Sequence, residues 1–209
     1  MQRDNIVEIF YEKHLGQLID AITSSCPPNT TSQSKGTEKQ SSVKPEILLN
    51  ICDLLCFCVM HHPYRCNFLL NNVIDKVLFL TQRREKYLVV SAVRFMRTLI
   101  SRNDEHLMNH IVKNNLLKPI VDAFVANGNR YNLLNSAVLE LFEYIRKTLK
   151  VLLKYLVDTF WDQLVGFENF SSIQSLKIKY DQVLAGQLSN PQIGFLSRLL
   201  IYQLVPSGS

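Results

Sequence analysis

Glycine-rich turns and sustained apolar–polar alternation are nearly missing from this chain, which holds only 7 glycines among 209 residues. Hairpin-linked strands need both, so an all-β fold is excluded. Neither a G-x-S-x-G elbow nor a glycine-rich phosphate loop is present, which removes two common signs of hydrolase and nucleotide chemistry. His106 and His110 stand one helical turn apart, but Leu107 and Met108 between them supply no carboxylate base for a metalloprotease-type site. No apolar run reaches the length of about 18 residues that a membrane span requires. The opening residues, Met1 to Asn5, lead into an amphipathic segment rather than the apolar block of a secretory leader. The expectation is an intracellular, soluble, all-α protein without catalytic activity.

Concentrated charge is also lacking. The net charge is +5 and the isoelectric point near 8.9, yet lysine and arginine are spread from Arg3 to Arg198 instead of gathering into a stripe. That distribution fits an acidic partner and argues against direct nucleic-acid binding. The cysteines number 5, an odd count, and Cys52, Cys56, Cys58 and Cys66 lie in or beside an apolar helical pattern. With His61 and His62 they could be sketched as a zinc site, but the C-x3-C-x-C spacing has no C-x2-C knuckle to bring two thiolates to one ion. They are expected to be reduced thiols packed as small hydrophobes, with no metal or cofactor.

What the chain does hold is a repeat. Residues 68 to 100 and 111 to 145 carry the same pattern: Asn71-Asn72 recurs as Asn114-Asn115, 43 positions on, and Ser91-Ala92-Val93 as Ser136-Ala137-Val138, 45 positions on. Apolar residues fall in matching places around both. A period of about 40 to 47 residues is that of HEAT and armadillo arrays. Pro119 breaks the first half of the second copy, which gives three helices per repeat, the armadillo pattern. The fold class read from these features is an all-α, armadillo/HEAT-like α-solenoid.

Periodicity places the elements. Ile6, Ile9, Phe10, Leu15, Leu18, Ile19 and Ile22 form one stripe on a helix over about residues 5 to 23, within an N-terminal segment 1–24. Residues 25–44, with Pro27-Pro28 and almost no large apolar side chain, are expected to be a mobile polar linker. Pro45 opens a helix that ends at His61-His62-Pro63. Repeats are expected over 45–184, with helices at 67–80, 85–100, 105–125 (broken at Pro119), 131–146, 149–164 and 171–184, and Thr148 as an N-cap. An atypical apolar tail, 185–209, closes the chain.

In an armadillo array the last helix of each repeat lines a binding groove. Arg94 and Arg97 share one helix face, and Arg102, Arg130, Tyr131, Asn132 and Asn135 follow at the ends of these helices. Together they could grip an extended acidic peptide through guanidinium and amide hydrogen bonds. The alternative is a solvated face with local ion pairs.

Four blocks carry a family likeness: Lys44 to Cys52, His61 to Arg65, Arg83 to Val90 and Gly128 to Phe142. They closely resemble the central domain of the SMEK family, the regulatory subunit 3 of protein phosphatase 4, over about residues 3 to 182. The resemblance implies a noncatalytic subunit that joins the phosphatase catalytic subunit and regulatory subunit 2. It further implies targeting of phosphoprotein substrates in nucleus and cytoplasm, in DNA-damage signalling, the cell cycle and kinase pathways. The family's EVH1-type N-terminal domain and charged C-terminus have no counterpart in these residues, and the expectation is a truncated or diverged copy. Two other readings stand beside this one: a basic helical-repeat module that binds nucleic acid or chromatin, and a fragment without independent function.

Overall fold

A computed structural model describes residues 2–25, 43–62 and 73–188, and all regular structure among them is helical. The linker core at 26–42, Cys66 with the first Asn-Asn pair (63–72), and the tail from 189 onward lie outside the described residues. No helix among those described is long and apolar enough to cross a membrane. The chain divides into two compact units, Met1–Leu141 and Phe142–Ser209.

The first unit opens with α1 (Gln2–Ile9), a π-helical turn (Phe10–His14) and α2 (Leu15–Ser24). The single α-helix expected over residues 5 to 23 is therefore interrupted. Its cause is legible in the spacing: Phe10 and Leu15 are five apart, which would turn Leu15 off an α-helical stripe. Closing the turn by a bond from the Leu15 N–H to the Phe10 carbonyl absorbs the extra residue. Only the second half of the stripe is buried, with Leu15, Ile19 and Ile22 at 5% exposure or less, while Ile6 is open at 69%.

Pro45 starts α3 (Pro45–His61), where its missing N–H costs nothing because the first turn has no acceptor for it. After α4 (Val73–Leu78) and a 3₁₀ turn (Phe79–Gln82) comes α5 (Lys86–Ile100), then α6 (Glu105–Lys113), α7 (Lys118–Asn127) and α8 (Leu133–Thr148). The Asp104 carboxylate caps α6 by accepting from the Leu107 N–H at 2.9 Å. The Asn-Asn pair ends it: Asn115 takes a left-handed φ of 54°, and the Leu116 N–H reaches back to the Ile111 carbonyl. That is a Schellman closure, in which asparagine tolerates the left-handed turn better than most residues, so Asn114-Asn115 marks a helix stop.

The core of this unit is built on the pairing of α3 with α5, its most extensive helix contact. Leu48, Ile51, Cys52, Leu55, Cys58 and Val59 are buried on α3, and Val89, Ala92, Val93, Met96, Leu99 and Ile100, each 41 positions later, are buried on α5. One pattern thus faces the interior twice, the structural content of the repeat. Phe95 and Phe124 are completely buried beside it.

In the second unit α9 (Lys150–Leu164) packs on α10 (Ser171–Leu188), with a 3₁₀ turn (Val165–Phe167) between them. Leu152, Leu156, Phe160, Ile173 and Leu176 fill its interior. Thr148 does not cap α9: it is the last residue of α8 and its hydroxyl donates to the Tyr144 carbonyl, leaving Leu149 as the link. A threonine at this site satisfies a carbonyl one turn back as readily as an N–H ahead.

Candidate functional site

Helices α3 and α5 run side by side in the same direction, as their cross-contacts fix. Near the start, the Glu46 carboxylate acts on Tyr87. Midway, Thr98 hydrogen-bonds Cys56, and at the end the Arg102 Nη1 donates to the Val59 carbonyl at 2.9 Å. From α5 to α8 the Arg97 Nε donates to the Glu140 Oε1 at 3.3 Å, a step of 43 residues, the same as from Val59 to Arg102. Helices α3 and α5 are therefore a parallel pair, and the Arg97–Glu140 contact brings a polar position of α8 against one of α5.

Three kinds of behaviour appear among the seven residues singled out from sequence. Arg94, Arg130, Tyr131 and Asn132 are exposed, Tyr131 at 85%. Arg97 and Arg102 are half-buried and engaged with α8 and α3 as described. Asn135 is buried, at 1% exposure, and so cannot touch a ligand directly. Its Nδ2 donates to the Gly128 and Arg130 carbonyls, both at 2.7 Å, and its Oδ1 accepts from the Asn127 Nδ2 at 2.8 Å. Asn132 accepts from the Asn135 N–H at 3.1 Å as the N-cap of α8. Gly128, at φ 70°, lets the chain turn into this network. Asn127, Asn132 and Asn135 thus shape the loop that presents Arg130 and Tyr131.

Sequence reasoning overlooked the acidic members of the surface. Glu46 and Asp53 on α3, both exposed, occupy the positions 41 residues before Tyr87 and Arg94, and Glu140 is exposed on α8. Acid on one helix and base on the next give a row of mixed sign. Reading α3 for its apolar core drew attention away from these carboxylates. The arginine block that opens α5 has a structural role in part: Arg83 forms a two-point pair with Glu85 (3.0 and 2.8 Å) and donates to the Ser25 carbonyl at 2.7 Å. That guanidinium holds the Glu85 carboxyl below its ordinary range.

The cysteines of α3 belong to the interior. Cys52 and Cys58 are at 0% and 1% exposure, and burial pushes the thiols of Cys56 and Cys58 up, against the opposing contacts of Thr98 and Tyr11. Neutral thiols of this kind are poor nucleophiles and poor metal ligands. Among the described residues no group of histidines, cysteines and carboxylates is placed to hold a metal ion.

Helical units that repeat the same buried pattern, the second of them with three helices, define an armadillo-type helical-repeat scaffold. The chain belongs to the phosphatase 4 regulatory subunit 3 family, whose family model matches residues 1–182. A mouse relative, Protein PPP4R3C1, is 32% identical over 185 residues, covering 87% of this chain and 23% of the relative. The Drosophila melanogaster serine/threonine-protein phosphatase 4 regulatory subunit 3 is 41% identical over 140 residues, 66% of this chain and 14% of the fly protein. The chain therefore spans less than a quarter of the length of these relatives. No solved structure matches it.

Proposed function

We propose that this chain acts as the helical-repeat part of a phosphatase 4 regulatory subunit, positioning the phosphatase rather than performing chemistry. The observation that carries the reading is the family match over residues 1–182, together with a fly relative named as a regulatory subunit. Its direct partners on this reading are the phosphatase 4 catalytic subunit and regulatory subunit 2, with phosphoprotein substrates brought to them in nucleus and cytoplasm. The processes served are those implied by the family likeness, namely DNA-damage signalling, the cell cycle and kinase pathways.

Within the chain, the row formed by α5 and α8 receives an extended segment of a partner. Arg94, exposed on the α5 face, takes a carboxylate or phosphate of that segment. Arg130 and Tyr131, held out by the asparagine network, extend the contact, while Glu46, Asp53 and Glu140 select against a uniformly acidic ligand. Affinity purification of the 209-residue chain, followed by identification of the bound proteins, tests this reading. Phosphatase 4 subunits are expected in the eluate, and their absence would sink it.

A further inference from the structure

The 41-residue equivalence of α3 and α5 has an unequal outcome on their flanks. On α5 the stripe Leu88, Ser91, Phe95, Thr98 and Arg102 is the one turned to α3, as the contacts of Thr98 and Arg102 fix. Leu88 and Phe95 are each at 0% exposure and Ser91 at 3%. Their equivalents on α3 are Ile47, Asn50, Leu54, Phe57 and His61. There Ile47 is 47%, Leu54 38% and Phe57 52% exposed. The same apolar stripe that α3 covers on its neighbour is open on α3 itself.

Two further features describe what fits the opening. The stripe steps by 3, 4, 3 and 4 residues from Ile47 to His61, which is the seam of a two-helix coiled coil. The Phe57 ring lies against the His61 imidazole, 4.3 Å away between centroids, so the two make one aromatic surface at the later end of the seam. Along one side stand Glu46 and Asp53, one per heptad, exposed and making no ion pair among the described residues. In a coiled coil the residues flanking the seam choose the partner by charge.

We propose that this flank of α3 is a docking site for an amphipathic helix of another polypeptide, laid parallel to α3 as α3 is to α5. Its apolar residues sit at heptad spacing, and lysine or arginine lines the side that meets Glu46 and Asp53. The apolar seam is separate from α5 and α8, shares Glu46 and Asp53 with the row of mixed sign, and does not depend on the phosphatase reading.

The test uses the whole chain and two helix-constrained 17-residue peptides of the length of α3. Both carry leucine at the seam positions; one has lysine and the other glutamate on the flank. The lysine peptide is expected to bind saturably, and Ile47→Asp or Phe57→Asp to weaken it about tenfold or more, a loss of about 1.4 kcal/mol. Circular dichroism and Tm stay unchanged because these side chains are half exposed. The charge-reversed variant Glu46→Lys/Asp53→Lys, which keeps the apolar seam, reverses the preference toward the glutamate peptide, and Arg94→Glu leaves binding of the lysine peptide intact. No saturable binding, equal binding of both peptides, or binding indifferent to these substitutions overturns the proposal. So does self-association of the chain alone in sedimentation equilibrium, abolished by Phe57→Asp, since the flank then serves a second copy.

Discussion

The guanidinium of Arg102 reaches across from just beyond α5 to the main-chain carbonyl of Val59, in the last turn of α3, at 2.9 Å. A helix leaves its final carbonyls without intrahelical donors, and a cation there also meets the negative end of the helix dipole. One side chain thereby fixes the register of two repeats. Arg102→Met retains most of the apolar stem but loses the donor, and is expected to cost about 1 to 2 kcal/mol. Urea denaturation checks it; an unchanged midpoint would show that the register is set by apolar packing alone.

Asn135 and Tyr131 separate structure from contact. Truncating Asn135 to alanine strands the Gly128 and Arg130 carbonyls and one N–H of the Asn127 side chain, whose other N–H keeps Asn132, so a loss of about 2 to 3 kcal/mol is expected. Tyr131→Ala, at a site 85% exposed, is expected to leave Tm within a degree or two while weakening capture of partner proteins. Paired thermal melts and pull-downs distinguish the two; equal destabilisation by both would refute this division of roles.

At Arg94 the expectation is a functional change without a structural one. Arg94→Glu removes an exposed cation and is expected to reduce recovery of phosphatase 4 subunits several-fold with Tm unaltered. Arg97→Glu sets a second carboxylate against Glu140, so a modest stability loss of about 0.5 kcal/mol accompanies it. Recovery of the subunits undiminished by Arg94→Glu would remove this residue from the contact surface.

Acid sensitivity has an identifiable source in the second unit. Arg146, at two-point contact with Glu143, and then Lys147 hold the Glu143 carboxyl at about 2, against an ordinary 4.5. A carboxylate so depressed favours the folded state above about pH 4.5, and the contribution fades as the pH falls toward 2. Glu143 is 29% exposed, so solvent screening limits the contribution to about 1 kcal/mol. Glu143→Gln is expected to be less stable than the parent at neutral pH and to converge with it near pH 2 to 3. Parallel stability curves across that range would disprove the assignment.

Alkylation reports on the α3 interior. Cys52 and Cys58 are expected to resist iodoacetamide in the folded chain and to react fully in denaturant. Peptide mass spectrometry reads this directly, and rapid labelling of Cys58 in the native protein would contradict its burial.

Much of the helical order was legible because apolar spacing reports it: Pro45 and Pro119 mark real starts, and the second repeat has three helices, as its broken pattern indicated. Spacing alone could not tell an asparagine that faces solvent from one that faces inward. Asn132 and Asn135 read alike in sequence, yet one caps a helix at the surface and the other is enclosed by a loop whose course depends on Gly128. Thr148 was equally ambiguous, since a hydroxyl serves either side of a helix junction. Least visible of all was the open stripe of α3. Whether Leu54 is covered depends on what stands beside the helix, a property of the assembly and not of the residue.

The π turn at Phe10–His14 stores one surplus residue inside a helix, where loops ordinarily take up such changes in chain length. Excising a single position there lets the segment relax into uninterrupted α-helix with Ile19 and Ile22 still turned inward, because the surplus and the deletion cancel in phase. The casualty is Tyr11, whose hydroxyl meets the His62 Nδ1 at 2.9 Å from within that turn. The N-terminal helix can therefore change its length by one with Ile19 and Ile22 in phase, and what it surrenders is the hold of Tyr11 on Cys58 and His62 at the end of α3.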